Sequence, residues 1–122
     1  MNQWLEGGCH CGAVRYRVRV RERHAIECNC SICSKKGILH HIVTADDFEI
    51  ISGEDCLTDY RFGTHTARHY FCRICGIQPF YVPRSHPDGW DVNIRTLDEG
   101  IDEWEVEHFD GVHWEENVGS IR

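Results

Sequence analysis

The chain has 122 residues, with eight cysteines, nine histidines and a formal charge of −7. That length suits one domain of roughly 100–150 residues and leaves no room for a second core. No run of about 18 apolar residues occurs, which excludes a membrane-spanning helix. The start, Met1-Asn2-Gln3-Trp4-Leu5-Glu6, has neither the basic nor the apolar stretch of a secretory signal, so a cytoplasmic location is expected. The negative charge argues against a nucleic-acid partner held by phosphate neutralisation.

In chain order, the first motif is Gly7-Gly8-Cys9-His10-Cys11-Gly12. Residues 13–20 then alternate with period two, which predicts a strand. Arg15, Arg17, Arg19, Arg21 and Arg23 share one parity and read as a solvated face, with Tyr16, Val18 and Val20 turned to the core. The second motif is Cys28-Asn29-Cys30-Ser31-Ile32-Cys33, and residues 31–37 suit a single helical turn. Strands are predicted over 38–43, 48–52 and 57–62, with Cys56 alone between the last two. Residues 67–71, 78–82 and 90–94 read as further strands, and Gly53, Gly63, Pro83, Pro87 and Gly89 punctuate the series. The third motif is Phe71-Cys72-Arg73-Ile74-Cys75-Gly76. Residues 102–109 suit an edge strand or a short helix, in a third of the chain made acidic by Asp98, Glu99, Asp102, Glu103, Glu105 and Glu107. The reading is mainly β: a small single domain, residues 1–122, single-layered and supplemented by metal. An exposed late strand would allow two copies to pair as a homodimer.

The cysteine spacing favours metal over disulfides. A bridge within C-x-C or C-x-x-C closes almost no chain and stabilises little. The same spacing lets thiolates converge on zinc from one turn at about 2.3 Å. Glycine after the second cysteine, at Gly12 and Gly76, suits a turn that needs positive φ. Cys56 reads as a small buried apolar residue. Seven clustered thiols do not divide by four. Cys9, Cys11, Cys72 and Cys75 suit one closed site, and Cys28, Cys30 and Cys33 suit a second with an open position. A competing partition gives the second site Cys56 or a histidine as fourth ligand.

Taken together, Gly8-Cys9-His10-Cys11-Gly12-Ala13-Val14-x-Tyr16, the second motif and the third resemble the glutathione-dependent formaldehyde-activating enzyme family. Ser31-Ile32-Cys33-x-Lys35-Lys36, Thr64-His65, Pro83-Arg84-Ser85 and Leu97-Asp98-Glu99-Gly100 look closest to its centromere protein V branch. The resemblance runs from about Trp4 to Trp114. It implies a β-tent of antiparallel sheets organised around two zinc ions. It implies a structural zinc at Cys9, Cys11, Cys72 and Cys75, and a catalytic one at Cys28, Cys30 and Cys33. The implied reaction is reversible addition of glutathione to formaldehyde, giving S-hydroxymethylglutathione, a carbon–sulfur lyase chemistry with a small thiol and aldehyde as substrates.

A histidine could shuttle the proton, and His40, His41, His65 and His69 are the candidates. Lys35, Lys36 and Arg73 stand beside the cysteine motifs and could hold the carboxylates of a glutathione-like anion. Seven thiolates and two divalent ions would add three negative charges to the chain's −7, so such an anion needs a local basic group. Two rival readings stand: a binding module in which both zinc ions are structural, and a thiol carrier that accelerates nothing. A protein ligand completing the second site would favour the module.

Overall fold

The computed structural model describes residues 3–121. Strand β1 (Gln3–Gly8) pairs antiparallel with β2 (Arg15–Val20), which also pairs with β5 (Phe48–Ser52). A second sheet has the order β10-β3-β4-β9-β8. Its members are β10 (Glu105–Phe109), β3 (His24–Cys28), β4 (Leu39–Thr44), β9 (Gly89–Asn93) and β8 (Phe80–Tyr81). A hairpin of β6 (Leu57–Tyr60) and β7 (His69–Cys72) completes the strands. Helix α1 (Ser31–Lys36) links β3 to β4, and α2 (Trp114–Asn117) lies near the C-terminus. No helix among the described residues is long and apolar enough to cross a membrane.

The fold is mainly β, as the alternation predicts, but the sheets are not single-layered. Strand β2 has only one apolar face, and that face must be covered. Val14, Tyr16 and Val18 are completely buried, and so are Phe80, Val92 and Ile94 from the five-stranded sheet and its continuation. The two sheets therefore lean together over one core. Tyr16 meets Phe80 edge-on at 5.8 Å between ring centroids, and Phe48 stacks on Trp90 at 4.7 Å. The pairing is antiparallel except between β10 and β3, which run parallel, with Phe109 opposite Cys28. Residues 102–109 thus supply an edge strand, not a helix.

The arginine row is a solvated face tied down by ion pairs. Arg15 bonds Asp98, Arg17 bonds Glu49 at 2.7 Å, and Arg23 bonds Glu99 at 2.8 Å. Arg19 and Arg21 both grip Asp47, at 2.7 and 2.9 Å. Asp47 is the buried member of the row, 5% exposed. Its hydrogen bonds from Arg21 and Arg19 outweigh burial and hold its carboxyl down at about 2. A carboxylate with a depressed folded pKa contributes stability above its unfolded value, near 3.9, and loses it as pH falls through about 2. Asp47→Asn should therefore destabilise the protein by about 1.5 kcal/mol at pH 7. Chemical denaturation should show the gap from wild type closing between about pH 4 and about pH 2. A gap that stays constant across that window would contradict the assignment.

Candidate functional site

Two cysteine clusters stand apart in the fold. In the first, Cys9 and Cys11 occupy the turn after β1, Cys72 ends β7, and Cys75 lies in the turn that follows it. Each turn is closed by a glycine with positive φ, Gly12 at 83° and Gly76 at 79°. That backbone lies in the left-handed region, where a side chain is disfavoured. The N–H of Gly76 reaches back to the Cys72 carbonyl at 2.8 Å. The sulfurs of Cys9 and Cys11 lie 3.5 Å apart, and those of Cys11 and Cys72 3.6 Å apart. Four thiolates around a tetrahedral zinc at about 2.3 Å would sit about 3.8 Å apart, so the cluster fits that ion closely. Backbone N–H groups point at sulfur, Val14 to Cys9 at 3.3 Å and Ile74 to Cys72 at 3.4 Å. Such bonds favour thiolates. All eight cysteines are unbridged.

The second cluster is local. Cys28 ends β3, Cys30 caps α1, and Cys33 lies one turn into that helix. The Cys30 sulfur accepts the N–H of Cys33 at 3.4 Å, and Gly37 ends the helix in the left-handed conformation. The three sulfurs lie within 4.8 Å of one another. Among the described residues, no fourth cysteine, histidine or carboxylate joins them, and Cys56 belongs to neither cluster. Cys56 instead packs half-buried against the core. The donor set therefore fits an ion with three protein ligands and one position left over.

Residues 109–112 close one side of this cluster. The N–H of Asn29 donates to the Phe109 carbonyl at 3.3 Å, and the side chain of Asn29 accepts the N–H of Val112 at 3.1 Å. Gly111 presses directly on the cysteines. A Cβ there would stand 2.3 Å from the Cys28 sulfur and 2.9 Å from the Cys30 Cβ. Nothing in the local sequence marks Gly111, because its constraint comes from a contact about 80 residues away in the chain.

Above the three sulfurs opens a cavity of about 490 Å³. Its walls are largely apolar, with Ile26, Ile32, Ile42, Phe62, Phe109 and Trp114 among them. His40, Tyr81 and Asp91 form a buried polar group on the wall. They come from β4, β8 and β9, adjacent strands of the five-stranded sheet. His40 Nδ1 lies 2.8 Å from Asp91 Oδ2 and 3.1 Å from the Tyr81 hydroxyl. Burial opposes protonation of His40, yet the charge and hydrogen bond of Asp91 raise its pKa overall. Burial pushes the Tyr81 hydroxyl up well above its ordinary value, with Asp91 adding to the effect. Neither Tyr81 nor Asp91 stands out in the sequence, where each sits inside an ordinary strand pattern.

The other candidate histidines divide by strand parity and exposure. His41 points away from the cavity, with Nδ1 2.9 Å from the His24 carbonyl and its ring against Trp104. His65 is exposed in a turn. His69 lines the cavity, stacked between Phe62 and Tyr81. Burial, with Lys36 nearby, lowers its pKa to about 4, which makes it a weak base.

Lys35, Lys36 and Arg73 are not among the residues lining the cavity. Lys36 donates to Gln78 and lies over the Phe71 ring, and Arg73 is exposed beside the closed cluster. The arginine that does line the cavity is Arg84, which lies 3.8 Å over the Trp114 ring and 2.6 Å from Glu115. It comes from a loop, and its approach to the cysteines depends on the tertiary fold.

The model of the glutathione-dependent formaldehyde-activating enzyme family matches residues 4–112. The chain is also similar to a Rhodobacter sphaeroides protein whose crystal structure was solved as a structural-genomics target. The two are 35% identical, with a TM-score of 0.75, over 84% of this chain and 100% of that one. The match takes in both cysteine clusters and most of the cavity wall. By sequence and by fold, this chain belongs to the glutathione-dependent formaldehyde-activating enzyme family.

Proposed function

We propose that the protein is a zinc-dependent carbon–sulfur lyase that joins a thiol to formaldehyde reversibly, with glutathione as the thiol and S-hydroxymethylglutathione as the adduct. The observation that carries this reading is the three-sulfur cluster, to which the described residues add no fourth ligand, open to a largely apolar cavity. Cys9, Cys11, Cys72 and Cys75 would hold a structural zinc, and Cys28, Cys30 and Cys33 a second one. When bound there, zinc with a free position lowers the pKa of a substrate thiol, so that sulfur is nucleophilic at neutral pH.

The chain's own residues supply the rest. The apolar walls displace water, which would otherwise hydrate the aldehyde and weaken polar contacts to the reacting atoms. Cys28, Cys30 and Cys33 converge on one point of that wall, which sets where the thiol enters. Arg84 is the arginine that lines the cavity, and its planar fork suits a carboxylate of the thiol substrate. Its stacking on Trp114 fixes the plane of that fork. One arginine, shared with Glu115, offers less attraction than three free cations would. Binding then leans on apolar contact more than on charge.

The test is exchange spectroscopy with ¹³C-formaldehyde and glutathione. The expected result is interconversion of free formaldehyde and adduct faster than the spontaneous rate. A protein that binds the adduct without speeding exchange is a carrier, and the lyase reading fails.

A further inference from the structure

On the cavity wall one buried imidazole has a nitrogen with nothing to bond. His40 is 3% exposed, and its Nε2 has no hydrogen-bond partner among the described residues. Its Nδ1 faces Asp91 at 2.8 Å. A carboxylate accepts, so Nδ1 carries the hydrogen and Nε2 of the neutral ring carries the lone pair. Leaving such a nitrogen buried and unpaired is unfavourable. A packing role would not need that arrangement, because an apolar side chain could fill the same space.

The sheet explains the alignment. His40 pairs with Asn93 across β4 and β9, Asp91 lies two residues along the same face, and Tyr81 pairs with Asp91 across β8 and β9. Three side chains from three adjacent strands therefore run diagonally toward the cavity that holds Cys28, Cys30 and Cys33. His40 stands outside the three-sulfur cluster itself. It lines the cavity beside that cluster, where a bound substrate would sit.

We infer that His40 is the proton-transfer residue of the thiol–aldehyde addition, with Asp91 and Tyr81 as the residues that position it. The inference rests on the lyase reading of the site. In the forward direction the thiol gives its proton to Nε2 as sulfur attacks the carbonyl carbon. The C–S bond forms, the carbonyl π pair moves to oxygen, and Nε2–H returns the proton to that oxygen. The product is the neutral S-hydroxymethyl adduct, and His40 ends as it began. In reverse, Nε2 takes the hydroxyl proton, the C–S bond breaks, formaldehyde leaves, and the proton passes back to sulfur. No other reactant is consumed.

The experiment compares wild type with His40→Gln and His40→Ala on glutathione and formaldehyde, and counts zinc per chain in each. His40→Gln should keep the wild-type zinc content and lose about 100-fold or more in kcat/KM. Added imidazole should restore part of the rate to His40→Ala. Should the His40 variants fail to fold, Asp91→Asn is read instead. It should lower kcat and displace the pH profile, because the ring loses the partner that sets its tautomer. Wild-type rates in His40→Gln overturn the inference, as does an unmoved pH profile in Asp91→Asn. Loss of the second zinc in His40→Gln also overturns it, because His40 would then be a ligand. A wild-type protein that accelerates nothing defeats the lyase reading first, which is a distinguishable failure.

Discussion

Cys72→Ser should leave the chain without a cooperative fold. Cys72 is completely buried, sits in the main core cluster, and has its sulfur 3.6 Å from that of Cys11. The cluster it belongs to joins the turn after β1 to the turn after β7. A structural four-thiolate zinc is worth an apparent 10–16 kcal/mol, on the order of what zinc-finger peptides show. The whole stability of a domain this size is about 5–15 kcal/mol. Losing the ion removes as much as the fold has to lose, and the serine hydroxyl left behind is buried without the charge it would answer. Thermal melts followed by circular dichroism, with zinc counted per chain, decide the matter. Cys56→Ser is the matched comparison, since Cys56 lies outside both clusters, and it should melt close to wild type. A Cys72→Ser protein that melts with wild type would show that the cluster carries no metal.

Cys33→Ser should have the opposite profile, with a preserved fold and no catalysis. Its cluster is confined to the end of β3 and the six residues of α1, and the core does not pass through it. The helix keeps its left-handed cap at Gly37 whether or not the sulfur is there. We expect one zinc per chain in place of two, a melting point lowered by only a few degrees, and exchange of formaldehyde with its adduct slowed more than about 100-fold. Undiminished exchange in that variant would place the chemistry elsewhere in the molecule.

What the sequence disclosed depended on how far each signal reaches along the chain. The cysteine spacings are local, and they read out both clusters because each turn holds its pair or trio before the fold is complete. The alternation of residues 15–20 is also local, and Tyr16, Val18 and Val20 are buried as it requires. β1 is not legible in the sequence, because Gln3-Trp4-Leu5-Glu6-Gly7-Gly8 is poor in β-branched residues and ends in two glycines. It becomes a strand by pairing along the whole of β2. β3 was hidden for a similar reason, since His24-Ala25-Ile26-Glu27-Cys28 holds one β-branched residue and relies on neighbours on both sides. The cavity was harder still. Tyr81, Asp91, Arg84 and Gly111 acquire their roles from contacts across the sheet or from the far end of the chain. Which of His40 and His41 faces the cavity depends on the direction of β4 relative to the core, which parity alone leaves undecided.

The two clusters also differ in when a growing or refolding chain can complete them. Cys28, Cys30 and Cys33 span six residues, so their loop closes at small entropic cost and can gather an ion while most of the chain is unstructured. Cys9 and Cys75 are separated by more than half the sequence, and their meeting must await the β6–β7 hairpin. Phe109, Gly111 and Val112, which wall the cavity, lie later still in the chain. Metal supply during synthesis would therefore be felt in sequence. An ion at the local trio could be taken up early on a bare loop, while one at the long-range cluster could be held only later.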